Sequence, residues 1–200
     1  MEVLDKNPKA LGNEQGVSKS FPAWSKTIKM SDLVQKAKDF ATLAHEGQVR
    51  KYTGAPYIVH PIEVMEIVQT INHDDIMLAG ALLHDVVEDT DCTLDDIRAE
   101  FGEDVASLVA DLTDVSKLED GNRETRKAKD REHSAEASPS AQTVKLADLI
   151  SNSLDIVKHD PSFAKVYMVE KFLLLGVLTH GDPILFERAI KLVDDYYESR

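Results

Sequence analysis

An apolar run that ends in a cluster of charged residues is the feature that most restricts how this chain can fold. Residues 76–83 (IMLAGALL) carry no charge, and residues 84–90 (HDVVEDT) follow directly. A helix with the first composition must be buried, so its end brings an imidazole and three carboxylates into a small volume. Charged groups are almost never fully buried unless they are paired or bind a metal. The sequence therefore predicts a metal-centred hydrolytic site at the end of a core helix.

Helix start signals recur along the chain. Ser31, Asp74 and Thr93 each precede a segment with apolar residues at helical spacing. Their side chains are suited to accept hydrogen bonds from the free N–H groups of a first helical turn. No alternating pattern typical of a half-buried strand is found. We therefore predict an all-α fold.

The length fits one domain with a polar extension. Residues 1–29 lack the apolar core of a signal peptide, and we predict a disordered N-terminal extension there, followed by a folded domain over residues 30–200. Residues 116–140 are strongly charged, poor in apolar side chains, and contain Gly121 and Pro139. We interpret this segment as a mobile loop with some helix.

Composition restricts the partners. The net charge is −13, so the surface as a whole would repel nucleic acids and anionic membranes, and we predict neither as a partner. No apolar run reaches the roughly 18 residues of a membrane span. Cys92 is the only cysteine, which favours a cytoplasmic location. An anionic substrate would require Lys and Arg to be concentrated locally. Nothing in the sequence indicates an oligomeric state.

Two further motifs can supply metal ligands. His60 precedes Pro61 at a predicted helix start. A later helix carries polar residues three or four positions apart, which places them on one face: Lys145, Asp148, Asn152 and Asp155.

Each motif alone has a plainer interpretation. A His-Pro pair usually marks only the start of a helix, and a His-Asp pair usually marks the end of one. A polar face on a helix is usually exposed to solvent. Together, two imidazoles and two carboxylates from separate helices suit Mn²⁺ or Fe²⁺ with positions open to water. An all-protein zinc site would more often use Cys or three His.

Four sequence blocks resemble a known family. They are residues 44–51 (AHEGQVRK), 54–61 (GAPYIVHP), 81–90 (ALLHDVVEDT) and 145–148 (KLAD). Their His and Asp residues follow the order found in HD-domain metal-dependent phosphohydrolases. The blocks are most similar to the hydrolase domain of the RelA/SpoT alarmone enzymes and to the stand-alone alarmone hydrolases of the MESH type. The resemblance covers about residues 30–178 and implies a helical bundle of the HD-domain type.

This resemblance implies an enzyme of the stringent response. It would remove pyrophosphate from the 3′ position of guanosine tetra- or pentaphosphate (ppGpp or pppGpp), leaving GDP or GTP. No synthetase domain follows, so we expect a hydrolase-only member. Glu88 and Asp89 would form the acid/base pair. Arg50 and Lys51 would contact the base and a phosphate, Asn152 the nucleoside, and Tyr167 the nucleotide. The implied ligands of Mn²⁺ are His60, His84, Asp85 and Asp148.

Some positions depart from the family pattern. Leu149, Ile150 and Leu154 stand where the family often has a basic residue, a leucine and an arginine, and the loop before Pro56 is one residue longer. These differences fall on the nucleotide side of the site. Two alternatives therefore stay open, an HD phosphohydrolase for another nucleotide such as an adenosine alarmone, and a catalytically silent alarmone-binding regulator. The intact set of metal and acid/base residues argues against the second.

Overall fold

The computed structural model describes residues 30–199. The predicted extension over residues 1–29 lies outside this range. Within it, the β pairing is limited to an isolated antiparallel bridge between Val49 and Pro56, and the predicted all-α fold is confirmed. The helices are α1 (Asp32–Ala44), α2 (Val59–Val68), α3 (Asp75–Leu83), α4 (Val86–Asp89), α5 (Leu94–Phe101), α6 (Glu103–Leu112), α7 (Arg123–Glu136), α8 (Pro139–His159), α9 (Pro161–Leu175) and α10 (Pro183–Glu198).

The predicted helix caps are present in the structure. The side chains of Ser31, Asp74 and Thr93 accept hydrogen bonds from backbone N–H groups three residues further on, at 3.3, 2.8 and 3.2 Å. Each bond satisfies a donor that has no partner within the helix. The first turns of α1, α3 and α5 therefore begin where the sequence predicts.

Helix α3 lies at the centre of the molecule. All its residues from Met77 to Leu83 are buried, and it packs against α1, α2, α6 and α8. A helix that is apolar on all sides requires neighbours on all sides. Gly80 allows the close approach of α6, because a Cβ atom at this position would clash with the Leu108 side chain. The end of α3 is therefore surrounded by helices and held in a fixed place.

Residues 116–140 contain the helix that the sequence analysis allowed for, but the interpretation of the segment as mainly loop is wrong. The segment contains a short 3₁₀ turn (Leu118–Asp120) and the 14-residue helix α7. Few apolar residues mark this helix because polar contacts attach it to the rest of the fold. Asp130 accepts hydrogen bonds from the N–H and Oγ of Ser116 at 2.9 and 3.0 Å, and Nε2 of His133 donates to the Ala110 carbonyl at 3.1 Å.

Helix α8 completes the framework of the site. It is 21 residues long and contacts α2, α3, α6, α9 and α10. Its middle therefore faces the start of α2 and the end of α3. Among residues 30–199, no helix is both long and apolar enough to cross a membrane.

Candidate active site

A break between two helices presents the HDVVEDT motif. Helix α3 ends at Leu83 and the single turn of α4 begins at Val86, so His84 and Asp85 lie in the turn between them. Glu88 and Asp89 follow in α4, about one turn further on. The second residue of α2 is His60, and Asp148 lies in the middle of α8. Tertiary packing therefore joins side chains that are far apart in the sequence.

The four predicted metal ligands converge on one point. His60 Nε2 lies 3.1 Å from Asp148 Oδ1 and 3.6 Å from Asp85 Oδ2. His84 Nε2 lies 3.1 Å from Asp85 Oδ2 and 3.7 Å from Asp148 Oδ1. Ligand bonds of about 2.1 Å place neighbouring donor atoms roughly 3.0 to 3.5 Å apart. The two 3.1 Å separations match this range and the other two slightly exceed it, so the four donors lie close to the arrangement that one small cation requires.

The chemistry of these groups supports the same conclusion. His60, His84 and Asp85 each offer an atom within 4.8 Å of the others. The buried Nε2 atom of His84 makes no hydrogen bond to any described residue. Burial opposes ionisation of Asp85 and Asp148, but contacts with the two histidines keep the pKa of both carboxyls below its usual value. The described residues thus contain a possible site for a divalent metal.

Both imidazoles are oriented through their other nitrogen. His84 Nδ1 lies 2.8 Å from the Ala81 carbonyl, and His60 Nδ1 lies 3.1 Å from Ser151 Oγ. A carbonyl only accepts hydrogen bonds, so Nδ1 of His84 carries a proton, and in the neutral imidazole that binds a metal Nε2 has the lone pair. That lone pair points toward the carboxylates.

Tyr57 links the predicted metal ligands to the predicted acid/base pair. Its hydroxyl lies 2.7 Å from Asp85 Oδ2 and 2.9 Å from Asp89 Oδ2, with the geometry of a donor to both. Burial and the two carboxylates raise the pKa of Tyr57 far above its ordinary value, so the phenol stays protonated. The buried ring of His45 packs on Tyr57 at a centroid distance of 4.6 Å.

The environments of Glu88 and Asp89 raise the pKa of both carboxyls. Burial raises the pKa of Glu88 to about 7, with Lys145 opposing the shift and Asp114 and Asp85 adding to it. The Asp114 N–H also donates to Glu88 Oε1 at 2.7 Å. Burial and Asp85 raise the pKa of Asp89, while its bond from Tyr57 lowers it. Carboxyls with a raised pKa are common at catalytic sites.

A cavity of about 320 Å³ opens beside this centre and is lined by an unusual number of cations. Asp85, Glu88 and Asp148 lie on its wall. Three helices contribute the basic residues, which are Arg123, Lys127 and Arg131 from α7, Lys145 from α8 and Lys171 from α9. Lys and Arg are therefore concentrated at this cavity, as expected for an anionic substrate, although six carboxylates line it as well.

These cations are held in different ways. Lys145 Nζ donates to the Leu112 carbonyl at 3.2 Å and lies 3.6 Å from Asp114 Oδ1. Lys171 is buried, and this burial lowers its pKa to about 8 although Asp148 opposes the shift. We did not predict the contribution of α7, because its segment was interpreted as a loop. The four-residue spacing of Arg123, Lys127 and Arg131 is a signal that could have identified it.

The predicted substrate contacts divide into two groups. Asn152 and Tyr167 line the cavity, where Asn152 Nδ2 donates to Asp148 Oδ1 at 2.7 Å and the Tyr167 hydroxyl has no hydrogen-bond partner among the described residues. Arg50 instead pairs with Asp155 at 2.8 Å and lines a separate groove of about 560 Å³. Lys51 is exposed, 3.5 Å from Asp160 Oδ2. The structure does not bring Arg50 and Lys51 into the cavity.

Comparisons with known proteins agree with this geometry. The profile of the HD domain matches residues 37–152. The mouse and human proteins named guanosine-3′,5′-bis(diphosphate) 3′-pyrophosphohydrolase MESH1 are each 39% identical over 143 residues, which is 68% of this chain and 76% of theirs. A solved metazoan ortholog of SpoT, described as hydrolysing ppGpp, has a TM-score of 0.73 and 30% identity over 85% of this chain and 96% of its own.

A bacterial structure shows the same fold. The lmo0812 protein of Listeria monocytogenes EGD-e has a TM-score of 0.61 and 27% identity, covering 74% of this chain and 99% of its own. The HD profile spans more than half of the chain and contains all four candidate metal ligands. The chain therefore belongs to the HD-domain family, and within that family it is similar to the MESH1 and SpoT hydrolases.

Proposed function

We propose that this protein hydrolyses the 3′-pyrophosphate of guanosine tetra- or pentaphosphate, releasing pyrophosphate and leaving GDP or GTP. The observation that carries the proposal is the convergence of two imidazoles and two carboxylates beside a cavity lined with cations. Relatives that carry the name of this activity match the chain over 143 residues. Five Lys and Arg residues and six carboxylates line the cavity, and a bound divalent cation would shift its charge toward that of a site for an anionic nucleotide.

The proposed cofactor is Mn²⁺, held by His60, His84, Asp85 and Asp148. Imidazole and carboxylate donors in equal number suit this cation. When bound, it supplies Lewis acidity toward a phosphoryl oxygen and lowers the pKa of water. Mn²⁺ acidifies water less than Zn²⁺ does, so the neighbouring carboxyls have a role in moving protons.

Glu88 and Asp89 are the proposed acid/base pair. Hydrolysis requires attack of water on the phosphorus bonded to the 3′ oxygen, and the bond between that phosphorus and the 3′ oxygen breaks. One carboxylate takes a proton from the attacking water, and a carboxylic acid gives a proton to the departing 3′ oxygen. A pKa of about 7 for Glu88 suits exchange in either direction at neutral pH.

The cations of the cavity are the proposed phosphate contacts. Lys145 lies between the acidic centre and α7, where it can neutralise charge on the pyrophosphate. Arg131 lines the cavity and forms no ion pair with a described residue, so its guanidinium is available to a phosphate. Asn152 and Tyr167 are proposed to contact the nucleoside. Arg50 and Lys51 would act at the edge of the site, and Arg50 would do so after leaving Asp155.

A cytoplasmic location and the absence of nucleic-acid partners stay predictions from the composition. They agree with a small nucleotide as the substrate, because the negative surface repels larger polyanions.

The decisive experiment supplies the purified chain with Mn²⁺ and either guanosine or adenosine 3′,5′-bis(diphosphate), and identifies the products by mass. We expect GDP and pyrophosphate from the guanosine compound and no turnover by an Asp148→Ala variant. Cleavage of only the adenosine compound would keep the mechanism and overturn the base assignment. Cleavage of neither would indicate another HD phosphohydrolase, and binding without turnover would favour a regulator.

A further inference from the structure

His60 is connected to solvent by a short chain of hydrogen bonds. Its Nδ1 atom lies 3.1 Å from Ser151 Oγ, and Ser151 Oγ donates to Glu63 Oε2 at 3.0 Å. His60 and Ser151 are buried, whereas Glu63 is exposed on α2 and lines the groove of about 560 Å³. Glu63 follows His60 by three residues on α2, and Ser151 follows Asp148 by three on α8. These hydrogen bonds therefore join α2 and α8, the helices that supply the candidate ligands His60 and Asp148.

The direction of each bond follows from the number of protons. A serine hydroxyl has one proton, and an ionised carboxylate can only accept. With Glu63 as the acceptor, the Ser151 proton points away from His60 and an oxygen lone pair faces Nδ1. His60 must then carry its proton on Nδ1. In the neutral imidazole that binds a metal, Nε2 then has a lone pair aimed at the candidate metal centre.

The two imidazoles differ in how this tautomer is secured. The Ala81 carbonyl contacts Nδ1 of His84 and can only accept, so the tautomer of His84 is set by the backbone. Ser151 can either donate or accept. Without Glu63, its hydroxyl could rotate and donate to Nδ1 of His60, which would move the imidazole proton to Nε2. An Nε2–H group cannot bind a metal ion.

We propose that Glu63 and Ser151 are positioning residues that hold His60 in its metal-binding tautomer, a role that rests on the metal site described under the proposed function. Partners of this kind typically contribute about 10 to 100-fold to metal affinity or activity. Glu63 is not among the residues that line the candidate catalytic cavity. It acts through Ser151, from a groove outside the catalytic cavity.

The helix α2 offers a matched control. Glu66 lies three residues after Glu63, is also exposed and lines the same groove, yet it makes no hydrogen bond to Ser151. Glu63→Ala and Glu66→Ala each remove one negative charge from the same region. Only the first breaks the chain of hydrogen bonds. A difference between the two variants therefore separates the hydrogen bond from the general effect of charge.

The test measures Mn²⁺ binding by calorimetry on the full chain after treatment with a chelator. We expect Ser151→Ala and Glu63→Ala to weaken binding by about 10 to 100-fold. Glu66→Ala should stay within about twofold of the unsubstituted protein. Ser151→Thr keeps the hydroxyl and should restore most of the affinity.

A second readout does not require metal. The ring ¹⁵N shifts of His60 in the metal-free protein report which nitrogen carries the proton, and the signal is assigned by its loss in His60→Asn. We expect a proton on Nδ1 in the unsubstituted protein and its loss in Glu63→Ala, whether or not Nε2 carries a proton beside Asp148. Because Glu63 is exposed, this variant leaves the core packing unchanged.

Several results would overturn the proposal. If Glu63→Ala and Glu66→Ala weaken Mn²⁺ binding equally, the effect comes from the lost charge and not from the hydrogen bond. Unchanged binding in Ser151→Ala, or an Nε2–H tautomer of His60 in the unsubstituted protein, would remove the role of the hydrogen bonds. These outcomes leave the metal site standing. If the unsubstituted protein binds no Mn²⁺, both the metal assignment and this proposal fail.

Discussion

Replacement of Tyr57 by phenylalanine tests the link between the metal centre and the acid/base pair. The change deletes one oxygen, which lies 2.7 Å from Asp85 Oδ2 and 2.9 Å from Asp89 Oδ2. Two carboxylates then face each other without a donor between them. A hydrogen bond to a charged group contributes about 1.5 to 3 kcal/mol. If this amount is lost from the transition state, kcat falls by roughly 10 to 150-fold.

The pH dependence should move in a defined direction. The Tyr57 hydroxyl lowers the pKa of Asp89, which burial and Asp85 already raise. Its loss raises that pKa further, so any step that needs ionised Asp89 should require a higher pH. Because Tyr57 contacts carboxylates and does not line the substrate cavity, kcat and kcat/KM should fall together while KM changes little.

Steady-state rates with guanosine tetraphosphate and saturating Mn²⁺, measured from pH 6 to 9, would test both expectations. Tyr52→Phe is a chemically matched control, because it removes a hydroxyl that donates to Asp160 at 3.0 Å, outside the metal centre. Its kcat should equal that of the unsubstituted protein. A Tyr57→Phe variant with normal helical content and a kcat within twofold of normal at every pH would refute the reasoning.

Five further tests address separate parts of the site. Saturation with Mn²⁺ at about 100 times its Kd should raise the free energy of unfolding by about 2.7 kcal/mol in thermal or urea melts, and a similar gain in Asp148→Ala would contradict the ligand assignment. Glu88→Gln should keep the metal and lower kcat by roughly 10² to 10⁴-fold, and retained metal with a near-normal rate would reject its role. In the metal-free protein the pKa of Glu88 is raised to about 7, so the free energy of unfolding should fall as pH rises from about 4.5 to 7 and Glu88 loses its proton. Melts of Glu88→Gln should lack that decline. Arg131→Gln should raise KM for guanosine tetraphosphate more than it lowers kcat, and an unchanged KM would exclude a phosphate contact. Arg50→Ala should also raise KM more than it lowers kcat; if both stay normal, Arg50 serves only its pair with Asp155.

The helical architecture could be predicted because its signals are local. A cap such as Ser31 or Asp74 acts on a backbone group three residues away, and the apolar run of α3 requires burial wherever it lies in the fold. The composition of the HDVVEDT motif indicates a metal for the same reason, since buried charge needs compensation. These arguments depend on neighbouring residues and do not require the topology.

Helix α7 could not be predicted in this way. Its contacts join Asp130 to Ser116 and His133 to Ala110, and no apolar face marks it in the sequence. The cations that it contributes to the cavity were missed with it. A helix attached by polar contacts has nearly the composition of a solvated loop, so the apolar pattern that marks the other helices is missing here.

The roles of single polar residues also depended on the tertiary structure. Tyr57 meets Asp85 across 28 positions of sequence, Ser151 meets His60 across 91, and Arg50 meets Asp155 across 105. Residue types and helical spacing identify which groups are able to bind a metal or move a proton. They do not specify which hydrogen-bond partner each group meets, because a hydrogen bond depends on distances of about 3 Å that are set by how the helices pack.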